Sequence, residues 1–252
     1  MSMPPLLPGH RLARFYILDF GLFDVGPGLR TIGIPGFLLE TDAGARILFD
    51  TGFPPDYVTG PEATAARDGL HRFGAFTRFG AENTAAGQLA LLGLTPADIS
   101  HVILSHGHID HVGSLPLFDH ATILLTETER ADPRPCYFFD KQPMEWPKAQ
   151  YLTIAGQTPL CEGANLIPTP GHTLGHLSAH LTLPDGRQVI LAADAINRIS
   201  EPDEGFADAK DPARALETFH LLDQLARETG ATMIYGHEPS QWPGLPKAPR
   251  PY

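Results

Sequence analysis

Residues 101–113 read HVILSHGHIDHVG. Val102, Ile103 and Leu104 form a short apolar run, and the loop after it carries His106, His108, Asp110 and His111. Only Gly107 and Ile109 separate these four. An extended apolar run that feeds a glycine-containing loop projects several side chains into one cavity. Three imidazoles and a carboxylate crowded in this way are costly unless a cation sits among them. The stretch therefore predicts a strand whose exit loop binds metal.

The same pattern recurs downstream. Asn165-Leu166-Ile167 leads into Thr169-Pro170-Gly171-His172-Thr173-Leu174-Gly175-His176. Val189 to Ala192 leads to Asp194, and Met233-Ile234-Tyr235 to Gly236-His237. His172, Asp194 or His237 alone would say little. At the ends of successive strand-like runs they read as one site, because loops at one sheet edge converge. With His106, His108, Asp110 and His111 they make seven ligands. That is too many for one tetrahedral zinc and suits two ions. Zinc is the expected metal, and imidazole and carboxylate donors also accept iron, cobalt or manganese. His176 is expected to pack or to orient its own loop, and His180 to lie on an alternating strand. His10, His71, His101, His120 and His220 read as structural or surface residues.

The chain has 252 residues, 42% of them hydrophobic, enough for a full core. Its formal net charge is −11, which argues against nucleic acid as a partner, since phosphate binding needs a basic face. Cys136 and Cys161 are too few for a disulfide framework and read as free thiols in a reducing compartment. The N-terminal segment lacks the pattern of a signal peptide, and no stretch is long and apolar enough to span a bilayer. A cytoplasmic protein with no membrane partner is expected.

Along the chain, Phe15 to Leu18 is the first strand candidate. The Gly- and Pro-rich stretch from Gly21 to Gly36, holding Phe23, Leu29 and Ile32, reads as a long loop. Gly36 to Glu40, Thr41 to Gly44 and Arg46 to Phe49 make a strand–turn–strand unit ending at Asp50-Thr51-Gly52. Residues 54–80 read as irregular, with Tyr57, Phe73, Phe76 and Phe79 as packing or interface aromatics. Thr84 to Leu92 predicts a helix stopped by Gly93, and Thr95 to Asp98 one helical turn. Thr122 to Leu125 predicts a strand, and Thr126-Glu127-Thr128-Glu129 a capping box. Four prolines interrupt Asp132 to Pro147, so its aromatics, Tyr137, Phe138, Phe139 and Trp146, sit on irregular backbone. Leu177 to Leu183 alternates as a half-buried strand does. Asp211-Pro212 opens the clearest helix, with Leu216, Phe219, Leu222 and Leu225 as its apolar stripe and Gly230 as its stop. Short strands with few helices fit an α/β sandwich better than an alternating βαβ sheet.

HGHIDH after a strand resembles the signature of the metallo-β-lactamase-fold hydrolases. The spacing of HGHIDH, PGHTLGH, Asp194 and YGHE, with the segment Phe206 to Ala215 before the last helix, resembles the N-acyl-homoserine lactonases over nearly the whole chain. The resemblance implies one hydrolase domain over 1–252, an αββα sandwich of two mixed sheets flanked by helices. It implies that His106, His108 and His172 hold a first metal, that Asp110, His111 and His237 hold a second, and that Asp194 bridges them. Asp50-Thr51-Gly52 would then support the metals from behind their ligands; as residues alone it reads equally as a polar turn. The activity implied is the opening of a lactone, N-acyl-homoserine lactones first among them, by a metal-bridging hydroxide, with Asp110 passing the proton.

One position departs from that pattern. The family usually has a tyrosine three residues after the bridging aspartate, and this chain has Asn197. Asn197 is the candidate to contact the substrate carbonyl, or else is a turn residue bonding its own backbone. Phe23, Tyr137, Phe138 and Trp146 are the candidates to line the substrate pocket. A homodimer is compatible with all of this. The competing readings are a related metallo-hydrolase for another small lactone, ester or thioester, and a metal- or partner-binding protein on the same fold.

Overall fold

Strands buried on both faces need cover on both sides, and the chain supplies it in four layers. The computed structural model describes residues 4–26, 30–138 and 141–252, so Leu29 and Phe139 lie outside the described residues. Seven strands form the first sheet: β1 (Leu12–Val25), β2 (Arg30–Thr41), β3 (Arg46–Phe49), β4 (Gly74–Arg78), β5 (His101–Ile103), β6 (Thr122–Thr126) and β7 (Gln150–Ile154), in the order β4-β1-β2-β3-β5-β6-β7. Five form the second: β8 (Thr158–Cys161), β9 (Ala164–Pro168), β10 (Leu177–Thr182), β11 (Gln188–Ala193) and β12 (Thr232–Tyr235), in the order β12-β11-β10-β9-β8. Both sheets are mixed: β3, β5, β6 and β7 run parallel, as do β11 and β12, and the other pairings are antiparallel. The helices are α1 (Asp56–Thr59), α2 (Pro61–Asp68), α3 (Ala85–Ala90), α4 (Ile109–Val112), α5 (Glu127–Arg130) and α6 (Pro212–Thr229).

Alternation along the strands sorts the core. Ile17, Phe37, Ile47, Phe49 and Ile103 point between the sheets, where they meet Leu166, Leu181, Leu191 and Ile234 of the second sheet. Their neighbours Leu18, Leu38, Leu48 and Val102 point outward under Tyr57, Leu89 and Phe118. On the far side, Ile190 and Ala192 pack with Leu222 of α6.

The described residues of the stretch from Gly21 to Gly36 do not form a loop. They are the end of β1 and the start of β2, paired from Leu22↔Gly33 to Val25↔Arg30. Pro35 faces Asp19 next to a register irregularity, where a missing N–H breaks the ladder least. Two glycines make room rather than a turn. A Cβ at Gly36 would lie 2.1 Å from the Phe20 ring, and one at Gly33 would lie 2.1 Å from the Trp242 ring.

Residues 54–80 are also more regular than expected, containing α1, α2 and β4. Phe76 of β4 sits 4.7 Å from Phe53 and 5.1 Å from Tyr57, centroid to centroid, so the aromatics there are packing. β7 and β8 have no counterpart in the sequence reading, whereas the helices expected at Thr84 and Asp211 are present, with Thr84 capping α3 and Asp211 capping α6 through Arg214 N–H. The stripe of α6 differs in one residue: Leu216 is 41% exposed, and Ala215, Thr218 and Leu222 face inward.

Candidate metal centre

Each ligand-bearing loop leaves the same edge of its sheet. β5 delivers His106 and His108, and α4 turns Asp110 and His111 back toward them. β9 delivers His172, β11 delivers Asp194, and β12 delivers His237. Their donor atoms form two groups within which all lie no more than 4.8 Å apart: His106, His108, His172 and Asp194 in one, Asp110, His111 and His237 in the other. Asp194 faces both. Its Oδ2 lies 3.3 Å from His172 Nε2 and 3.9 Å from His106 Nε2, and its Oδ1 lies 3.4 Å from His111 Nε2 and 3.3 Å from His237 Nε2.

The residues fit two cations. His106 Nε2 and His111 Nε2 are buried and have no hydrogen-bond partner among the described residues, an arrangement that a metal ion resolves. Burial, and then the neighbouring imidazoles, hold His106 well below its ordinary pKa; burial and His172 bring His108 down to about 3. Neutral imidazole is the form that ligates. The second group lacks positive charge instead. Burial opposes protonation of His237, but Asp194 and Asp110 outweigh it and push the pKa up to about 10. His111 is raised as well, because Asp110, Asp50 and Asp194 surround it and outweigh its burial. Three carboxylates in one dry place call for a cation.

Hydrogen bonds behind the ligands fix their orientation. Asp50 Oδ2 takes His111 Nδ1 at 2.8 Å and the Ser105 hydroxyl at 2.8 Å, and its Oδ1 takes the Ser105 N–H at 2.7 Å. His237 Nδ1 donates to Gly33 O at 3.0 Å, which turns Nε2 inward. His176 is buried against Thr169 at 2.8 Å, with its ring 5.2 Å from that of His106. Asp50 and Ala193 adopt positive φ, 62° and 45°, so the backbone is strained beside two of the site's carboxylates.

Glu129 is a residue that sequence reasoning placed only in a helix cap. Thr126 does cap α5 by accepting from Glu129 N–H at 3.1 Å. The Glu129 carboxylate, however, reaches across to Gly107 N–H and to the Thr173 hydroxyl, both at 2.8 Å. It thereby ties the loop of His106 and His108 to the loop of His172. Spacing in sequence carries no signal for such a contact. Glu129→Ala is expected to lower the unfolding free energy by about 2 kcal/mol, since it strands two buried donors. Urea denaturation checks this, and an unchanged midpoint would show that the tie carries no stability.

A cavity of about 900 Å³ opens over the ligands. His108, Asp110, His172, Asp194 and His237 form its floor. Phe23, Tyr137 and Phe138 line it, and so does Asn197. Trp146 is not among the lining residues: its Nε1 donates to Asp132 O at 2.8 Å, and its ring packs with Tyr151 and Arg130. The Asn197 carboxamide sits between Glu201 and Asp194. With its nitrogen turned toward Asp194 it donates to both oxygens, at 3.2 and 3.3 Å.

The Metallo-beta-lactamase superfamily profile matches residues 34–237. The chain is 30% identical over 218 residues to the N-acyl homoserine lactonase AiiA of Bacillus thuringiensis subsp. kurstaki, covering 81% of each. It is 31% identical over 185 residues to the N-acyl homoserine lactonase AttM of Rhizobium radiobacter, covering 66% of this chain and 68% of that one. An N-acyl homoserine lactone hydrolase solved with the product N-hexanoyl-L-homoserine at its catalytic metal centre superposes with a TM-score of 0.82 at 24% identity, over 96% of this chain and all of the other. This chain belongs to the metallo-β-lactamase superfamily, in the branch that holds the N-acyl homoserine lactonases.

Proposed function

We propose that the protein is a dinuclear metal-dependent hydrolase that opens lactone rings, N-acyl-homoserine lactones first among them, with residues 1–252 acting as one domain. The observation that carries the reading is a carboxylate, Asp194, that belongs to one ligand group and lies 3.4 and 3.3 Å from His111 and His237 of the other, in the lining of a cavity with an apolar side. His106, His108 and His172 would hold one ion, Asp110, His111 and His237 the other, with zinc first among the candidates. Bound there, the ions would polarise the ester carbonyl and make water a nucleophile at neutral pH. Ring opening breaks the acyl C–O bond, and the departing ring oxygen needs a proton. Asp110 is placed to move it, lining the cavity beside His237. Phe23, Tyr137 and Phe138 offer apolar surface to an acyl tail and keep water off the ring. Cys136 and Cys161 form no disulfide among the described residues, which suits a reducing compartment. No helix among the described residues is long and apolar enough to cross a membrane.

The test is a hydrolysis screen of metal-loaded protein across homoserine lactones, simple γ- and δ-lactones, aryl esters and a thioester, with elemental analysis alongside. About two ions per chain and turnover of lactones ahead of the other esters are expected. Active protein with one ion would remove the dinuclear reading, and turnover of the thioester alone would move the substrate class.

Asn197 is proposed as a contact to the substrate carbonyl and a support for Asp194. Asn197→Ala is then expected to lower kcat and kcat/KM together by about tenfold to a hundredfold. If both constants hold at full metal content, Asn197 is a turn residue.

A further inference from the structure

A ligating imidazole is usually fixed by a hydrogen bond to its far nitrogen. Three of the histidines have one. His111 Nδ1 meets Asp50 at 2.8 Å, His237 Nδ1 meets Gly33 O at 3.0 Å, and His106 Nδ1 lies 3.0 Å from the Ser105 hydroxyl, itself bonded to Asp50. His108 and His172 differ. Among the described residues, their rings make polar contacts only inside their own ligand group, with each other at 3.0 Å and, for His172, with Asp194 at 3.3 Å.

Those two rings are therefore placed by the backbone that carries them, and Glu129 grips that backbone on both sides. Glu129 is 6% exposed. Its Oε1 accepts the Gly107 N–H, between His106 and His108, and its Oε2 accepts the hydroxyl of Thr173, next to His172, both at 2.8 Å. Thr126, which caps the same helix, donates to Gly175 O at 2.5 Å. A Cβ at Gly175 would lie 2.3 Å from Glu129 N, so the second loop is pressed against α5. The start of that loop is held separately, by Asp211 N–H on Gly171 O at 3.0 Å and Lys210 N–H on His172 O at 3.1 Å. Asp110 and His111 lie further on, in α4, and that helix is tied to Thr51, whose N–H and hydroxyl bond His111 O at 2.7 and 2.9 Å.

We propose that Glu129 is the positioning residue of the first metal site: by bracing the loop of His106 and His108 against the loop of His172, it sets how tightly that ion is held and leaves the site of Asp110, His111 and His237 alone. The inference rests on the dinuclear reading and gives its two sites separate supports.

The experiment is a zinc titration of metal-free protein against a chromophoric chelator, with circular dichroism to show that each variant is folded. Wild type is expected to bind about two ions. Glu129→Ala should hold one of them as wild type does and the other about tenfold to a hundredfold more weakly. Glu129→Gln keeps an oxygen for the Gly107 N–H and a polar contact for Thr173, and should restore most of the lost affinity. Two further backgrounds tell the sites apart. In His237→Ala, whose tighter ion occupies the first site, adding Glu129→Ala should weaken that ion by the same factor. In His172→Ala, whose tighter ion occupies the second, adding it should change nothing. Wild-type affinity for both ions in Glu129→Ala, or equal weakening of both, overturns the proposal. If Glu129→Ala does not fold, Thr173→Val breaks one of the two bonds in its place: weakening confined to one ion upholds the proposal, and unchanged binding overturns it. A wild type that binds a single ion fails the dinuclear reading by itself. Glu129→Ala then upholds the brace by weakening that ion and overturns it by leaving the affinity unchanged.

Discussion

Asp110→Asn is expected to lower kcat/KM for the best lactone by about a thousandfold while the protein stays folded, the size of effect a positioned proton-transfer group supplies. Asp110 lies in the first turn of α4, with Oδ2 3.3 Å from His237 Nε2 and 3.4 Å from His111 Nε2. Burial raises its pKa, but the two imidazoles outweigh burial and hold the carboxyl well below the usual carboxylate range. It is thus a charged acceptor at neutral pH. The amide keeps the shape and loses both the charge that attracts a cation and the lone-pair basicity that takes a proton. Kinetics, circular dichroism and metal content should be measured on one preparation. Wild-type kcat at full metal loading would strip Asp110 of both roles.

Asp50→Ala is expected to cost about 3–5 kcal/mol of stability, the range for breaking a buried charged network by removing one partner. Asp50 is 1% exposed and accepts from the Ser105 N–H, the Ser105 hydroxyl and His111 Nδ1. Its removal leaves those donors dry. It also frees the His111 ring, so affinity for the second ion should fall by about tenfold to a hundredfold. Guanidinium denaturation with and without chelator separates the two effects. A loss that appears only in the metal-loaded protein would mean that Asp50 acts through the ion and not through the fold.

The seven candidate ligands that the fold brings together were legible because their signal is local: each follows a short apolar run, and side-chain type narrows the chemistry. What stayed hidden depends on contacts far apart in sequence. Gly33 and Gly36 look like loop residues until Trp242 and Phe20 are seen packed on them. The β1–β2 hairpin was missed for that reason, since glycine usually marks turns. Glu129 carries no local pattern at all, and only the folded chain sets it between two ligand loops. Leu216 was misplaced because apolar spacing on a helix defines a stripe to within about one position, and Ala215 took its place inside.

Trp242 lying on Gly33, with His237 bonded to the Gly33 carbonyl, has a consequence for biosynthesis. A ribosome releases the chain from its N-terminus, so the first hairpin and the loop of His106 emerge long before the segment that fixes His237. Until that segment has left the exit tunnel and laid its indole on β2, the group of Asp110, His111 and Asp194 lacks His237, and a second ion would have no complete seat. With the proposed ligand set, metal uptake by the nascent chain would be ordered in time: a first ion once Asp194 has been made, the full second seat only after translation has passed the tryptophan.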